Sequence, residues 1–166
     1  MKIDPQESNE LIQLANLIED IPVVMLTTMD DKDTLASRPM SPLHMDSNGA
    51  IWFFTDLRSE KVEHLRVVNL SFADNDKSTY VSISGRGEIH AEHAHIKELW
   101  TPFARPWFPE GPDSNNLALL KFVPDTAEYW DAPNSKMIRM FAMAASIAAN
   151  KPIGLGEHQT LTELSA

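Results

Sequence analysis

The chain has 166 residues, of which 43% are apolar, and a formal net charge of −10. This length can bury a sizeable core, so we expect one domain over residues 1–166. The acidic balance argues against nucleic acid or an anionic membrane as a partner, because both bind positive surfaces. The lack of cysteine excludes disulfides, thiolate metal sites and thiol redox chemistry. The first residues do not resemble a signal peptide and no apolar run could span a bilayer, so we expect a cytoplasmic protein.

A helix is predicted near the N-terminus. Asp4 followed by Pro5 is typical of a helix start, with Asp4 as the capping residue. Apolar residues then repeat at the three-to-four spacing of a helix face, and Pro22 ends the pattern. The sequence therefore predicts a helix over residues 5–21.

Predicted strands dominate the middle of the chain. Runs of β-branched and aromatic residues between turn signals predict strands at 23–29, 35–45, 51–55, 70–73, 80–89, 117–123 and 127–130. Pro39 places the second strand at a sheet edge or a bulge, because proline donates no ladder hydrogen bond. Polar and apolar residues alternate in the 80–89 strand, where Gly85 and Gly87 allow a bend or a close approach. Most connections are hairpins, so we expect an α+β fold: an antiparallel barrel of about six to seven strands over residues 22–131 with peripheral helices.

The remaining segments are predicted as helices, a loop and a tail. Helices are expected at 59–69, 92–100 and 136–150, the last with a Met- and Ala-rich inner face. The loop at 101–116 is rich in proline and aromatic residues, and loops of this length are more often functional or interfacial than idle. The tail from residue 151 contains Pro and Gly and is expected to fray.

The junction between the 51–55 strand and the 59–69 helix is a candidate anion site. Free backbone N–H groups and the positive end of a helix attract phosphate. Arg58 and Lys61 add positive charge there, and Ser59 is a good capping residue. The alternative is an ordinary capped surface helix with solvated cations.

Two other stretches could bind a flat ligand. Arg38 lies on the proline-interrupted strand, beside backbone groups that no neighbouring strand uses, although an exposed edge arginine is the alternative. Trp107, Phe108 and Trp130 suit stacking on a planar ring, but such clusters more often bury area in a core or a dimer interface.

Other chemistries have little support in the residue spacing. The sequence contains no dinucleotide fingerprint, P-loop or nucleophile elbow. His90, His93 and His95 do not fall on one face, which favours solvated histidines over a metal site. The aspartates at 30, 31 and 33 are turn residues, and no acid–base pair is expected among them.

Several short motifs follow one another in the middle of the chain. They are Ser-Arg-Pro-Met at 37–40, Trp-Phe-Phe-Thr at 52–55, Ser-Glu-Lys at 59–61 and Tyr-Val-Ser-Ile-Ser-Gly at 80–85. In order and spacing they resemble the pyridoxamine 5′-phosphate oxidase-like FMN-binding split-barrel superfamily. The segments at 107–113, 117–120 and 127–131 are similar to its general stress protein branch. The resemblance runs from about Leu11 to Asp131.

The resemblance implies a homodimer of split barrels with a flavin, FMN or alternatively FAD, at the subunit interface. In that arrangement one group of residues lines the ring and the ribityl chain, a second holds the phosphate, a third supplies hydroxyls from a facing strand, and two tryptophans lie near the ring. In that order, the residues are Arg38, Pro39, Met40, Phe54 and Thr55; Ser59 and Lys61, helped by Arg58; Ser82 and Ser84; and Trp107 and Trp130.

The C-terminal part departs from the pattern of true pyridoxamine phosphate oxidases. Those enzymes carry a C-terminal basic and aromatic segment that binds the substrate's phosphate, whereas this chain has only Lys136, Arg139 and Lys151 as cations after Trp130. Oxidation of vitamin B6 is therefore not expected.

Three functions remain open at this point. The first is an FMN-dependent oxidoreductase with an unidentified small-molecule redox partner, in which the flavin carries the chemistry and no residue is predicted as a general acid or base. The second is a flavin-binding stress protein that stores, buffers or senses flavin. The third is a dimeric barrel without a cofactor, since a fold alone does not fix function.

Overall fold

The computed structural model describes residues 1–131, 157–162 and 164. Within these residues, nine strands form one mixed sheet, and two α-helices pack beside it, which confirms the predicted α+β class. The strands are β1 (Lys2–Ile3), β2 (Val24–Met29), β3 (Leu35–Met40), β4 (His44–Met45), β5 (Ile51–Asp56), β6 (Val68–Asp74), β7 (Thr79–His90), β8 (Leu117–Asp131) and β9 (Glu157–Thr162). The helices are α1 (Asn9–Ile18) and α2 (His93–Leu99). The predicted helix at 136–150 lies outside the described residues.

The strand β8 holds the sheet together. The strands follow the order β1-β4-β5-β8-β7-β6-β2-β3, and only the β1–β4 pair is parallel among the described residues. One edge of β8 pairs with β5 along its first half and with β9 along its second half, while its other edge pairs with β7. The predicted break between 123 and 127 is wrong. Pro124 sits where the β7–β8 register shifts, and a bulge tolerates its missing N–H.

Strand alternation separates a buried inner face of the sheet from an outer face. Val81 and Ile83 of β7 are buried in the core, whereas Tyr80 and Ser84 point outward, as the alternating sequence predicts. The helix α1 covers the core with Leu14 and its other apolar residues at helical spacing.

The N-terminal helix starts later than predicted. Its cap is Ser8, whose Oγ accepts a hydrogen bond from the backbone N–H of Leu11 at 3.2 Å. Asp4 instead continues the β1–β4 pairing through its N–H to Met45, and its carboxylate contacts His44 Nε2 at 2.9 Å. Asp4 does not cap the helix, because its backbone N–H is bonded to the strand β4 and its carboxylate to His44.

The predicted helix at 59–69 is also wrong. Only a 3-10 turn forms there, at Glu60–Glu63, and strand β6 begins at Val68. The residues from Val68 onward alternate between buried and less buried positions, and they pair with both β2 and β7. A period-two pattern with two neighbouring strands outweighs the helical spacing of the few apolar residues before it.

The special residues of the strands behave as predicted. The strand β3 with Pro39 lies at the end of the sheet order, and it pairs only with β2 among the described residues. A Cβ on Gly85 would collide with the carbonyl oxygen of Val123, so this position requires glycine for the close approach of β8.

The tail does not fray throughout, contrary to the prediction. The strand β9 pairs with β8, and Leu161 and Leu164 belong to the buried core. The prediction missed this strand because Pro152, Gly154 and Gly156 precede it in the sequence, and its stability depends on pairing with the distant β8.

Candidate functional site

Lys61 is a buried cation in the 3-10 turn after β5. Lys61 is only 8% exposed, and its Nζ donates a long hydrogen bond of 3.4 Å to Ser59 Oγ. No carboxylate of the described residues lies within 4.0 Å of Nζ. Burial lowers the pKa of Lys61, the charge of Arg38 lowers it further, and Asp56 opposes both. The turn therefore holds a poorly compensated positive charge.

Arg38 supplies a second positive charge at the same place. It stands opposite Leu26 in the β2–β3 pair, on the inner face of the sheet edge, and is half-buried. The tip of this hairpin reaches the segment after the turn, where Asp31 Oδ1 lies 3.9 Å from His64 Nδ1. Arg38 has no carboxylate partner among the described residues either. Two neighbouring cations that form no ion pair among the described residues favour the binding of an anion beside them.

Thr55 adds an unsatisfied polar atom on the inner face. It is 1% exposed, and its Oγ1 has no hydrogen-bond partner within the described part of the chain. A buried hydroxyl without a partner costs free energy, which a polar ligand could recover. The cations Arg38 and Lys61 and this hydroxyl are groups that suit a ligand carrying a phosphate and hydroxyls.

Arg58 is bound within the protein. Its Nε and Nη2 donate to the two carboxylate oxygens of Asp56 at 3.0 and 2.6 Å. These bonds from Arg58 lower the pKa of Asp56 to about 2, and they raise the pKa of Arg58. Most of the Arg58 charge is thus neutralised, which leaves Lys61 and Arg38 as the principal anion-binding cations. Asp56 was not among the predicted site residues; the signal in the sequence was an acidic residue two positions before Arg58.

Ser59 lies at the start of the turn but does not cap it through its side chain. Since the predicted α-helix is replaced by one short turn, the helix-dipole argument for the anion site loses its basis. The case for this site rests on side-chain cations.

The outer face of the sheet carries the two predicted serines. Asn69 Nδ2 donates to Ser82 Oγ at 2.9 Å and to Ser84 Oγ at 3.3 Å, and Ser71 Oγ donates to Asn69 Oδ1 at 2.9 Å. These groups point away from the inner face on which Arg38 lies. The structure therefore does not bring Ser82 and Ser84 to Arg38 within one chain.

The aromatic residues are distributed over three places. Phe54 points away from the core and packs against Trp100 and Phe108, with ring centroids 5.6 and 6.2 Å apart. Trp107 is 74% exposed on the 101–116 loop. Trp130 is 43% exposed on the outer face, where it stacks on His158 at 4.8 Å. Trp107 and Trp130 do not meet within one chain.

The remaining predicted residues of β3 are at the sheet edge. Pro39 is exposed opposite Met25, and Met40 is half-buried against the core. Both adjoin Arg38, as the motif implies.

The histidines considered for a metal are arranged around a tryptophan. Rings of His90 and His95 contact Trp52 edge-on, with centroids 5.1 and 4.5 Å apart, and His93 Nδ1 lies 4.0 Å from Asp113. The described residues contain no group of three His, Cys, Asp or Glu side chains placed to hold a metal ion. In the same residues, no helix is long and apolar enough to cross a membrane.

The comparison with protein families decides the classification. The sequence profile of the family described as "Pyridoxamine 5'-phosphate oxidase like" matches residues 9–153. The chain belongs to this family. No functionally curated protein matches the sequence closely enough to count as a relative.

Solved structures of proteins named as general stress proteins resemble this chain. A protein from Jannaschia sp. CCS1, assigned by its name to general stress protein 26, is 25% identical, with a TM-score of 0.71 and coverage of 89% of this chain and 94% of that chain. The general stress FMN/FAD binding protein of Xanthomonas citri is 29% identical, with a TM-score of 0.64 and coverage of 78% and 92%. A protein related to general stress protein 26 from Clostridium acetobutylicum, 21% identical, shares the fold with a TM-score of 0.68 and coverage of 94% and 97%.

Proposed function

We propose that this protein binds FMN in a split barrel and acts as a flavin-dependent oxidoreductase related to general stress proteins. The observation that carries the proposal is the buried Lys61, which has no ion-pair partner among the described residues and lies near Arg38, in a chain whose net charge is −10. An acidic protein repels a free phosphate everywhere except where cations collect, so the two residues define where the flavin phosphate binds.

Each of four other predicted residues contacts a different part of the flavin or supports Lys61 in this proposal. The hydroxyl of Thr55 forms a hydrogen bond with the ribityl chain. Pro39 and Met40 on the edge strand β3 line the flavin ring. Ser59 orients Lys61 through its hydroxyl, as its contact with Nζ supports. The flavin, when bound, supplies hydride or electron transfer, while the protein provides binding, orientation and the electrostatic environment.

The second subunit of the proposed homodimer completes the site. Ser82, Ser84 and Trp130 lie on the outer face, so in our proposal they reach a flavin only from the partner subunit. Large apolar side chains exposed on or beside that face support this: Met25 is 40% exposed, Tyr80 41% and Trp130 43%. Contact with a second copy of the chain would remove these apolar side chains from water.

A function in flavin storage or redox sensing is the second candidate, and one observation favours it. The negative charge of Asp56 raises the pKa of Lys61, and the hydrogen bonds from Arg58 lower the pKa of Asp56 to about 2. Asp56 therefore stays ionised at neutral pH and is unsuited to proton transfer. Reduction of bound flavin by NADH or NADPH, followed by reoxidation with added electron acceptors, separates turnover from storage.

FMN titration of three single variants tests the proposal. Lys61→Ala and Arg38→Ala should each raise the Kd for FMN at least tenfold, equivalent to about 1.4 kcal/mol, because each removes a charge from the phosphate. Arg66→Ala is the matched control, since Arg66 is exposed and has no carboxylate partner among the described residues. It should change the Kd less than twofold. Equal Kd values for all three variants and the wild-type protein would place any cofactor elsewhere.

A further inference from the structure

Asn69 lies at the centre of a small hydrogen-bond network on the outer face of the sheet. Its strand β6 pairs with β2 on one side and with β7 on the other, so hydrogen bonds to both neighbours hold its backbone. Strand alternation places Asn69 and Ser71 of β6 on the same face as Ser82 and Ser84 of β7. Asn69 stands opposite Ser84, and Ser71 stands opposite Ser82. These four residues form what we call the outer-face network.

The side-chain amide of Asn69 has a defined orientation in this network. The hydroxyl of Ser71 donates to Asn69 Oδ1 at 2.9 Å, so this oxygen is on the acceptor side of the amide. The amide nitrogen Nδ2 faces β7, where it donates to Ser82 Oγ at 2.9 Å and to Ser84 Oγ at 3.3 Å. Both serine oxygens therefore act as acceptors toward Asn69.

The same bonds determine what the two serines can offer to a ligand. A hydroxyl has a single donor hydrogen, and because the oxygens of Ser82 and Ser84 accept from Asn69, their own hydrogens point away from it. Within the described residues neither hydroxyl donates to another group, not even to the carboxylate of Glu128, which stands opposite Ser82 in the β7–β8 pair. Ser82 and Ser84 thus present two donors to whatever covers the outer face.

We propose that Asn69 is a positioning residue for the flavin of the partner subunit, holding Ser82 and Ser84 as donors to a hydrogen-bond acceptor of the ring. The inference rests on the proposed function, in which these serines reach a flavin across the dimer interface. Tyr80 lies two residues before Ser82 and stands opposite Trp130, so aromatic side chains adjoin the two hydroxyls. Reduction makes a flavin ring more negative, and donors facing it stabilise the reduced form more than the oxidised form. Asn69 therefore raises the midpoint potential of bound FMN.

The midpoint potential of bound FMN, measured by anaerobic reduction beside a dye of known potential, tests this role. Asn69→Ala should raise the Kd for reduced FMN about tenfold relative to the Kd for oxidised FMN, because both serine hydroxyls are then free to turn. For a two-electron couple, this change lowers the midpoint potential by about 30 mV. Ser71→Ala should act in the same direction but less strongly, since Nδ2 of Asn69 can still reach the serines.

Thr126→Ala is the matched control. Thr126 stands opposite Ser84 on the neighbouring strand β8 and is exposed on the same face. Its hydroxyl bonds no member of the outer-face network. The ratio of the two Kd values should therefore change less than twofold. A change as large as that of Asn69→Ala would mean that any polar group on this face has the same effect, and it would overturn the positioning role.

A comparison with the serine variants separates positioning from a purely structural effect. If Asn69 acts through the serines, Asn69→Ala should lower the potential no further in a protein that already carries Ser82→Ala and Ser84→Ala. An additional fall of the same size, or an unchanged potential in Asn69→Ala, would overturn the inference.

The protein with Ser82→Ala and Ser84→Ala also provides a test if Asn69→Ala does not fold. Its midpoint potential should lie below that of the wild type, and an unchanged value would overturn the inference while the proposed function stands. Failure of the wild-type protein to bind FMN would instead overturn the proposed function.

Discussion

Lys61 shows how a single residue can be unfavourable for folding and useful for binding. Burying an ammonium that has no ion-pair partner among the described residues costs desolvation free energy, and the nearby Arg38 adds repulsion, which Asp56 only partly offsets. Both effects lower the pKa of Lys61 in the folded state. The unfolded chain then binds more protons between this lowered pKa and 10.5, so stability should rise with pH in that interval.

Replacing Lys61 by methionine should therefore stabilise the protein without flavin. Lys61→Met keeps an unbranched side chain of nearly the same length and removes the charge, so we expect a higher urea midpoint at pH 7 together with a loss of FMN binding. The gain should shrink as the pH rises toward 10, because wild-type Lys61 then loses its proton. Lys32→Met, at an exposed position of the β2–β3 hairpin, is the control and should leave the midpoint unchanged. A lower midpoint for Lys61→Met at pH 7 would show that the charge is compensated.

Gly85 is a residue whose absent side chain is required. A Cβ there would meet the backbone of Val123, which is fixed in β8 and moves only with the strand, whereas a Cβ on Gly87 would meet the side chains of Leu120 and Leu65. We expect Gly85→Ala to reduce the unfolding free energy by about 3 kcal/mol and Gly87→Ala by about 1 kcal/mol, since side chains yield more easily than backbone. Urea denaturation of both variants measures the difference. Equal losses would mean that β8 can shift at the bulge.

At the scale of one element, β9 covers the part of β8 that β5 leaves open. Without it, the edge of β8 from Thr126 to Asp131 would present unpaired backbone groups, and two leucines of the core would lose their place. The stability contributed by β9 should thus come from its inward-facing Leu161 and its backbone pairing, and little from its outward side chains.

Leucine-to-alanine substitution in β9 tests this division. Leu161 is 7% exposed, so Leu161→Ala should cost about 2 kcal/mol of unfolding free energy through lost burial and a cavity. Thr160→Ala on the exposed face of the same strand is the control and should stay within about 0.5 kcal/mol of wild type. Thermal and urea unfolding provide the measurement. An equally small effect of both changes would mean that β9 is only loosely attached.

The elements that the sequence predicts well are those whose pattern is local. The alternation of Val81 and Ile83 with Ser82 and Ser84 matches the observed burial, and Pro39 marks the edge strand. The predicted 59–69 helix failed because β6 is specified by its two neighbouring strands, which are distant in sequence. The same reason explains why β9 was not predicted.

The sequence indicated which cations belong to the candidate site, but not which of them pairs with a carboxylate of the protein. Arg38 acts on Lys61, so the two cations lie near each other. The sequence places Asp56 two positions before Arg58, but it does not show that these two residues pair while Lys61 has no ion-pair partner among the described residues. The face on which Ser82 lies follows from strand alternation, but its direction relative to Arg38 depends on how the sheet curves. Such relations require three-dimensional pairing.

At the scale of the whole molecule, the outer face of the sheet should determine both assembly and cofactor binding. In the proposed dimer, Met25→Glu places a charge at the interface, because Met25 is 40% exposed and stands opposite Ser71 on that face. We expect it to sediment as a monomer at micromolar concentration and to bind FMN more weakly. Ile12→Glu is the control, with 44% exposure on α1 and the same change in charge. A dimeric Met25→Glu protein would move the interface to another surface.

The position of β8 in the sheet has a consequence for synthesis on the ribosome. Both of its first neighbours, β5 and β7, leave the exit tunnel well before β8, and their hydrogen-bonding edges must wait for it. The nascent chain therefore carries two open edges until β8 has emerged, a period in which intermolecular pairing competes with folding. Chaperone dependence of the yield in cells should accordingly exceed what the equilibrium stability of the finished protein would suggest.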